Sequence, residues 1–204
     1  MASTPADFTY GAGDAPREPG WPTATRLVDD VLVPVARALR LPLALKLGAR
    51  RAMAPGLAPC GGGDGVVAAD AEPLIALCRA NPDVKFLATF LARTSQHEAC
   101  VLSQKFRNLH LYGCWWYCNN PSIIAEITRL RLELLGTAFT AQHSDCRVLE
   151  QLVYKWKHSR AIVADALATQ YEHLIRTGFV LSTAHIERDV ASLLGGAYAA
   201  FLAK

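Results

Sequence analysis

A chain of 204 residues, 51% of them apolar, is long enough for one substantial domain with a buried core. Its formal net charge is only +3 and both signs are dispersed, which argues against nucleic acid or an anionic membrane as a partner; no run of 18 apolar residues marks a membrane span. Six scattered cysteines (Cys60, Cys78, Cys100, Cys114, Cys118 and Cys146) make no disulfide framework, and most read as small buried hydrophobes. Cys114 and Cys118 have a ligand-like spacing, but no second pair completes a zinc site. With no charged leader followed by an apolar stretch, a reduced, cytoplasmic location is expected.

Residues 1–24 are rich in Ala, Pro, Gly, Thr and Asp and read as a disordered or loosely packed tail. Residues 25–204 read as one domain. Leu27, Val31, Leu32, Val35 and Leu39 have helical spacing over 25–39, and 41–47 is a short apolar run, the first strand. Residues 48–65 hold two prolines and the cluster Gly61-Gly62-Gly63-Asp64-Gly65; with no Gly-Lys-Ser/Thr or Gly-x-Gly-x-x-Gly they predict a flexible loop rather than a phosphate cradle. A helix follows over 70–80, then a nearly all-apolar strand over 84–91, as for a strand buried on both faces. Ser95 and Glu98 form a capping-box pattern at the head of a helix over 95–106. The third strand spans 109–116. Pro121 suits the first turn of a helix over 121–135 and Gly136 its stop. A fourth strand is predicted at 137–142, a long, broken helical stretch over 148–176, and a last amphipathic helix over 183–201.

Strands alternating with helices imply right-handed βαβ units and a parallel sheet. In such folds chemistry sits at the C-terminal ends of the strands. At the C-terminal end of the third strand stand Trp115 and Trp116, with Tyr117 next; after the fourth stand His143, Asp145 and Arg147. Each has a plainer reading. Asp145 precedes a helix and could cap it, and Arg147 could pair with Asp145. Adjacent tryptophans on a strand face opposite ways, so one is core and one faces the site. His110 lies near a strand start, at the other end of the sheet, and reads as structural; His97 reads as a surface or capping residue.

On the motifs Trp115-Trp116-Tyr117 and Asp145-Cys146-Arg147, the segment Leu47-Gly48-Ala49-Arg50-Arg51 and the strand beginning Val84-Lys85-Phe86-Leu87, the chain resembles the C-terminal half of the uronate (glucuronate) isomerases of the amidohydrolase superfamily. The resemblance implies an α/β fold: a parallel (β/α) half-barrel like strands 5–8 of a TIM barrel, with extra C-terminal helices. It implies aldose–ketose isomerisation of a uronic acid, D-glucuronate to D-fructuronate. By position Asp145 matches a ligand to a divalent metal, zinc, and acts as the catalytic carboxylate. Arg147 matches the arginine that contacts the substrate carboxylate, Trp115 or Trp116 a pocket-lining tryptophan, and Arg51 an arginine near the pocket. His143 can join them, since alternate residues of an extended segment share a side.

The chain departs from the family pattern in two ways. Lys46 stands where the better-known branch has a histidine. The family's His-x-His pair is missing, since no two of His97, His110, His143, His158, His173 and His185 lie two apart. A complete barrel of this kind needs at least ~250 residues. Two readings follow: an enzyme half whose missing half comes from self-association or a partner chain, or a non-catalytic remnant that binds a sugar acid.

Overall fold

The computed structural model describes residues 27–60, 62–143, 145–146 and 148–204, so the expected tail at 1–24 and Arg147 lie outside the described residues. A π-turn at Val28–Leu32 runs into helix α1 (Val33–Leu39), which ends on Arg40 at φ +52°. In strand β1 (Leu43–Leu47) side chains alternate: Leu45 and Leu47 are buried, while Ala44 and Lys46 are exposed on the opposite face. Residues 48–65 are more ordered than expected. They hold a short antiparallel pair, β2 (Ala49–Arg50) with β3 (Gly65–Val66), and a 3-10 segment at Pro55–Cys60.

Helix α2 (Glu72–Ala80) leads to β4 (Phe86–Phe90), every residue of which is buried, and on to α3 (Gln96–Lys105) and β5 (Leu109–Leu111). The strands are parallel in the order β1-β4-β5. Crossovers between parallel strands need intervening helices, and α2 and α3 lie in the connections. Leu45, Leu47, Phe86, Ala88, Phe90, Leu109 and Leu111 join Leu74, Leu77, Ala99 and Leu102 of the helices in one core cluster. Each fully buried Leu or Phe contributes roughly 1.5–3 kcal/mol. Slipping β1 by one residue would put Lys46 in that cluster, so burial fixes the register.

Helix α4 (Pro121–Leu135) starts and stops as expected. Asn120 caps it, its Oδ1 accepting from the Ile123 amide at 3.0 Å, and Gly136 ends it at φ +60°. The predicted fourth strand is reduced to a parallel bridge between Tyr112 and Thr140, with the Thr140 amide donating to the Leu111 carbonyl at 3.0 Å. Helix α5 (Leu149–Arg176) is one continuous 28-residue helix, not a broken one. The predicted last helix is instead bent: α6 (Thr183–Ala191) and α7 (Ala197–Ala203) meet at Gly195, whose φ of +134° only glycine adopts readily.

Two further expectations need correction. Ser95 makes no side-chain cap to α3; its hydroxyl accepts from the Ala69 amide at 3.3 Å and ties the preceding loop down instead. The third strand stops at Leu111, because Gly113 (φ +65°) and Trp116 (φ +47°) turn the backbone out of the sheet. His110 is structural, as expected: its Nε2 meets the Thr140 hydroxyl at 2.9 Å and its ring stacks on Phe201 of α7 at 5.1 Å. Among the described residues no helix is long and apolar enough to cross a membrane.

Candidate functional site

The exposed face of β1 supplies the centre of the site. Lys46 lies one residue from the strand's C-terminal end, in register with Thr89 of β4. Its ammonium donates to Asp145 Oδ1 at 2.5 Å and sits 5.0 Å from the centroid of the Trp115 ring, a cation–π distance. Asp145 follows the Thr140 bridge and adopts φ +40°, the left-handed region that Asp tolerates better than most residues. Its backbone carbonyl accepts from Lys155 of α5 at 3.0 Å. One acidic residue therefore meets two ammonium groups, one from β1 and one from α5. Burial pushes the Asp145 carboxyl up, but the hydrogen bond and charge of Lys46, with His143 and Lys155, outweigh it and hold the group below its ordinary value.

The turn after β5 carries an aromatic row. Trp115 is 6% exposed and Trp116 37% exposed, with ring centroids 5.8 Å apart. The expected division into one inner and one outer tryptophan holds, although a 3-10 turn and not a strand produces it. Trp116 stacks on Tyr117 at 4.7 Å, and the Tyr117 hydroxyl donates to the Asp64 carbonyl at 2.7 Å. The Asp64 carboxylate accepts from Arg51 Nη1 at 2.5 Å. Arg51 thus joins the row at its far end, through Asp64 and Tyr117, while Lys46, Trp115, Asp145 and Lys155 make the near end.

His143 lies against Tyr112, ring centroids 4.9 Å apart, and packs so tightly on Gly113 that a Cβ there would fall 2.0 Å from its Cδ2. Burial, with the Lys46 charge, pulls the His143 imidazole down to about 4, so it is neutral at pH 7. Its buried Nε2 has no hydrogen-bond partner among the described residues, nor has the buried hydroxyl of Thr89.

Behind this row is a support that the sequence reading missed. Arg131 of α4 is only 1% exposed, and its guanidinium donates to the Gly113 carbonyl at 2.9 Å and to Gln96 Oε1 at 3.3 Å. Gln96 Nε2 in turn donates to the Phe90 carbonyl at 2.8 Å, at the end of β4. Gln142 accepts from the Cys114 amide at 2.8 Å and donates to Asn119 and Ser159, each at 2.9 Å. These three side chains tie the ends of β4 and β5 to α4 and α5. A signal existed for Arg131: it falls at helical spacing on the stripe Ile124, Ile127 and Thr128, which is the buried face of α4.

The donor set does not fit a divalent metal. No group of three or more His, Cys, Asp or Glu side chains that could hold one occurs among the described residues, and the Asp145 carboxylate is engaged by Lys46. What the arrangement can do is hold an anion near two ammonium groups, with an indole face beside it for the C–H side of a small molecule.

No protein-family model and no curated protein matches the chain. Solved structures do. A uronate isomerase from Bacillus halodurans is 42% identical, with a TM-score of 0.84 over 92% of this chain and 44% of that one. A uronate isomerase from Thermotoga maritima shares the fold at 15% identity and a TM-score of 0.68, over 80% of this chain and 36% of that one. A parallel α/β layer with polar and aromatic residues gathered where its strands end is the arrangement of the (β/α) enzymes. Within that class the chain is similar to these uronate isomerases, and it spans less than half the length of either.

Proposed function

We propose that this chain is the C-terminal half of a uronate isomerase-type barrel, carrying the substrate end of a site for a uronic acid such as D-glucuronate. The supporting observation is the convergence of Lys46, Trp115, Asp145 and Lys155 beyond the C-terminal ends of parallel strands, in a chain 42% identical to a uronate isomerase. In this reading an ammonium group takes the sugar acid's carboxylate. Trp116, the more exposed of the two tryptophans, packs on the C–H face of the sugar, and Trp115 backs the Lys46 ammonium. Moving the carbonyl from C1 to C2 needs a proton shifted between adjacent carbons. Asp145, ionised and beside Lys46, is the candidate carboxylate for that shift, and neutral His143 is a candidate acceptor next to it. Arg147 is a substrate-carboxylate contact by the resemblance alone, and Arg51, paired with Asp64, stands at the far end of the row. Completion of the barrel falls to self-association or a partner chain. All six cysteines are free thiols, which supports a cytoplasmic setting.

The test is ketose formation from D-glucuronate by the purified chain, with and without added zinc, beside Asp145→Asn. Turnover lost in that variant supports a working site. A second reading, a sugar-acid-binding half without turnover, is favoured by the Lys46–Asp145 pair, which occupies the carboxylate that catalysis would use. Binding of D-glucuronate without ketose formation from folded protein would select it.

A further inference from the structure

The resemblance asks for a divalent cation at Asp145, and the residues around Asp145 supply a different cation. We infer that Lys46 takes the place of the metal in this chain: its ammonium is the resident counter-ion of Asp145, and with Lys155 it makes a metal-independent anion site.

Four observations carry this. The Lys46–Asp145 contact is 2.5 Å, a charge-assisted hydrogen bond between groups 99 residues apart in sequence. Trp115 covers the same ammonium at 5.0 Å, so the cation is held from two sides and does not dangle. Lys155 reaches the backbone carbonyl of Asp145, leaving its own charge without a carboxylate in that contact. The local sum is two ammonium groups to one carboxylate, which suits an incoming carboxylate and opposes an incoming dication. The fourth is the engaged carboxylate: a metal at Asp145 would have to displace Lys46. The side chains of Lys46 and Asp145 are 38% and 32% exposed, so an anion can reach the pair from solvent.

This inference rests on the sugar-acid reading for its ligand but not for its cation, and the two are separable. Zinc is titrated calorimetrically into the full chain and into Asp145→Asn. D-Glucuronate is then titrated into the wild type in EDTA and in zinc, and into Lys46→Met, Lys46→Arg and Lys155→Met in EDTA, each checked for folding by circular dichroism. The expected result is no zinc site that depends on Asp145, with glucuronate affinity within twofold in EDTA and zinc. Lys46→Met should lose at least tenfold, Lys46→Arg less, and Lys155→Met a few fold. A zinc site abolished by Asp145→Asn, or glucuronate binding that requires zinc, overturns the inference and leaves the sugar-acid reading intact. Unchanged affinity in Lys46→Met also overturns it. Absence of glucuronate binding under both conditions overturns the sugar-acid reading, and the zinc titration then decides the cation by itself.

Discussion

Two histidines, His110 buried and His143 partly buried, set the acid behaviour of individual residues. Burial, aided by nearby positive charge, holds His110 and His143 at about 4, against 6.5 in an unfolded chain. Between those values the unfolded state binds more protons than the folded one, so stability rises with pH through this window and is lost as pH falls from 6.5 to 4. For His110 the shift is worth at most about 3 kcal/mol at the acid end. Urea denaturation at pH 7 and pH 4.5 should therefore show a loss that His110→Phe reduces; an unchanged pH slope in that variant would contradict the assignment. Gly113 is the second sensitive residue. Its positive φ and the His143 ring against it leave no room for a methyl group, and Gly113→Ala should cost at least about 2 kcal/mol by the same measurement. At this scale positions, and not roles, were legible. Asp145, Trp115 and Trp116 were legible because they follow predicted strands. Lys46 was legible only as a departure from a family pattern; its pairing with Asp145 spans 99 positions and no local rule reveals it.

Among the elements, α4 does most to position the site. Its first turn and stop were readable from Pro121 and Gly136, since the chemistry of helix ends is local, and the structure adds Asn120 as the cap. Asn120→Ala should cost about 1 kcal/mol in thermal or chemical unfolding. Arg131 matters more, because it ties α4 to the turn that carries the tryptophans. Arg131→Ala leaves the Gly113 carbonyl and Gln96 without their donor and opens a cavity, a loss of roughly 3 kcal/mol; a change under about 1 kcal/mol would show that the guanidinium is not a support. β1, β4 and the helices between them were legible from period and turn residues. The third strand was overdrawn, because turns at Gly113 and Trp116, with positive φ, end it within a mostly apolar and aromatic run, and the fourth is reduced to one bridge. The bend at Gly195 and the continuity of α5 were also hidden: an apolar stripe has the same period whether the helix bends or not.

For the whole molecule, β1 is an edge of the sheet, with Ala44 and Lys46 exposed on one face. Val31, Val35 and Leu39 of the first helical segment and Leu149, Val153 and Tyr154 at the start of α5 are exposed as well. Open edges and apolar surface favour association. Light scattering at rising concentration should show species larger than one chain; a monomer throughout, with cooperative unfolding, would contradict the open-barrel account. The central claim, a sugar-acid site built on Lys46, Trp115 and Asp145, is met most directly by calorimetric titration of the intact chain with D-glucuronate and, separately, with D-glucose, which lacks the carboxylate. The account predicts saturable one-to-one binding of glucuronate and affinity at least tenfold weaker for glucose. Equal affinity for the two sugars, or no binding of either, would contradict it.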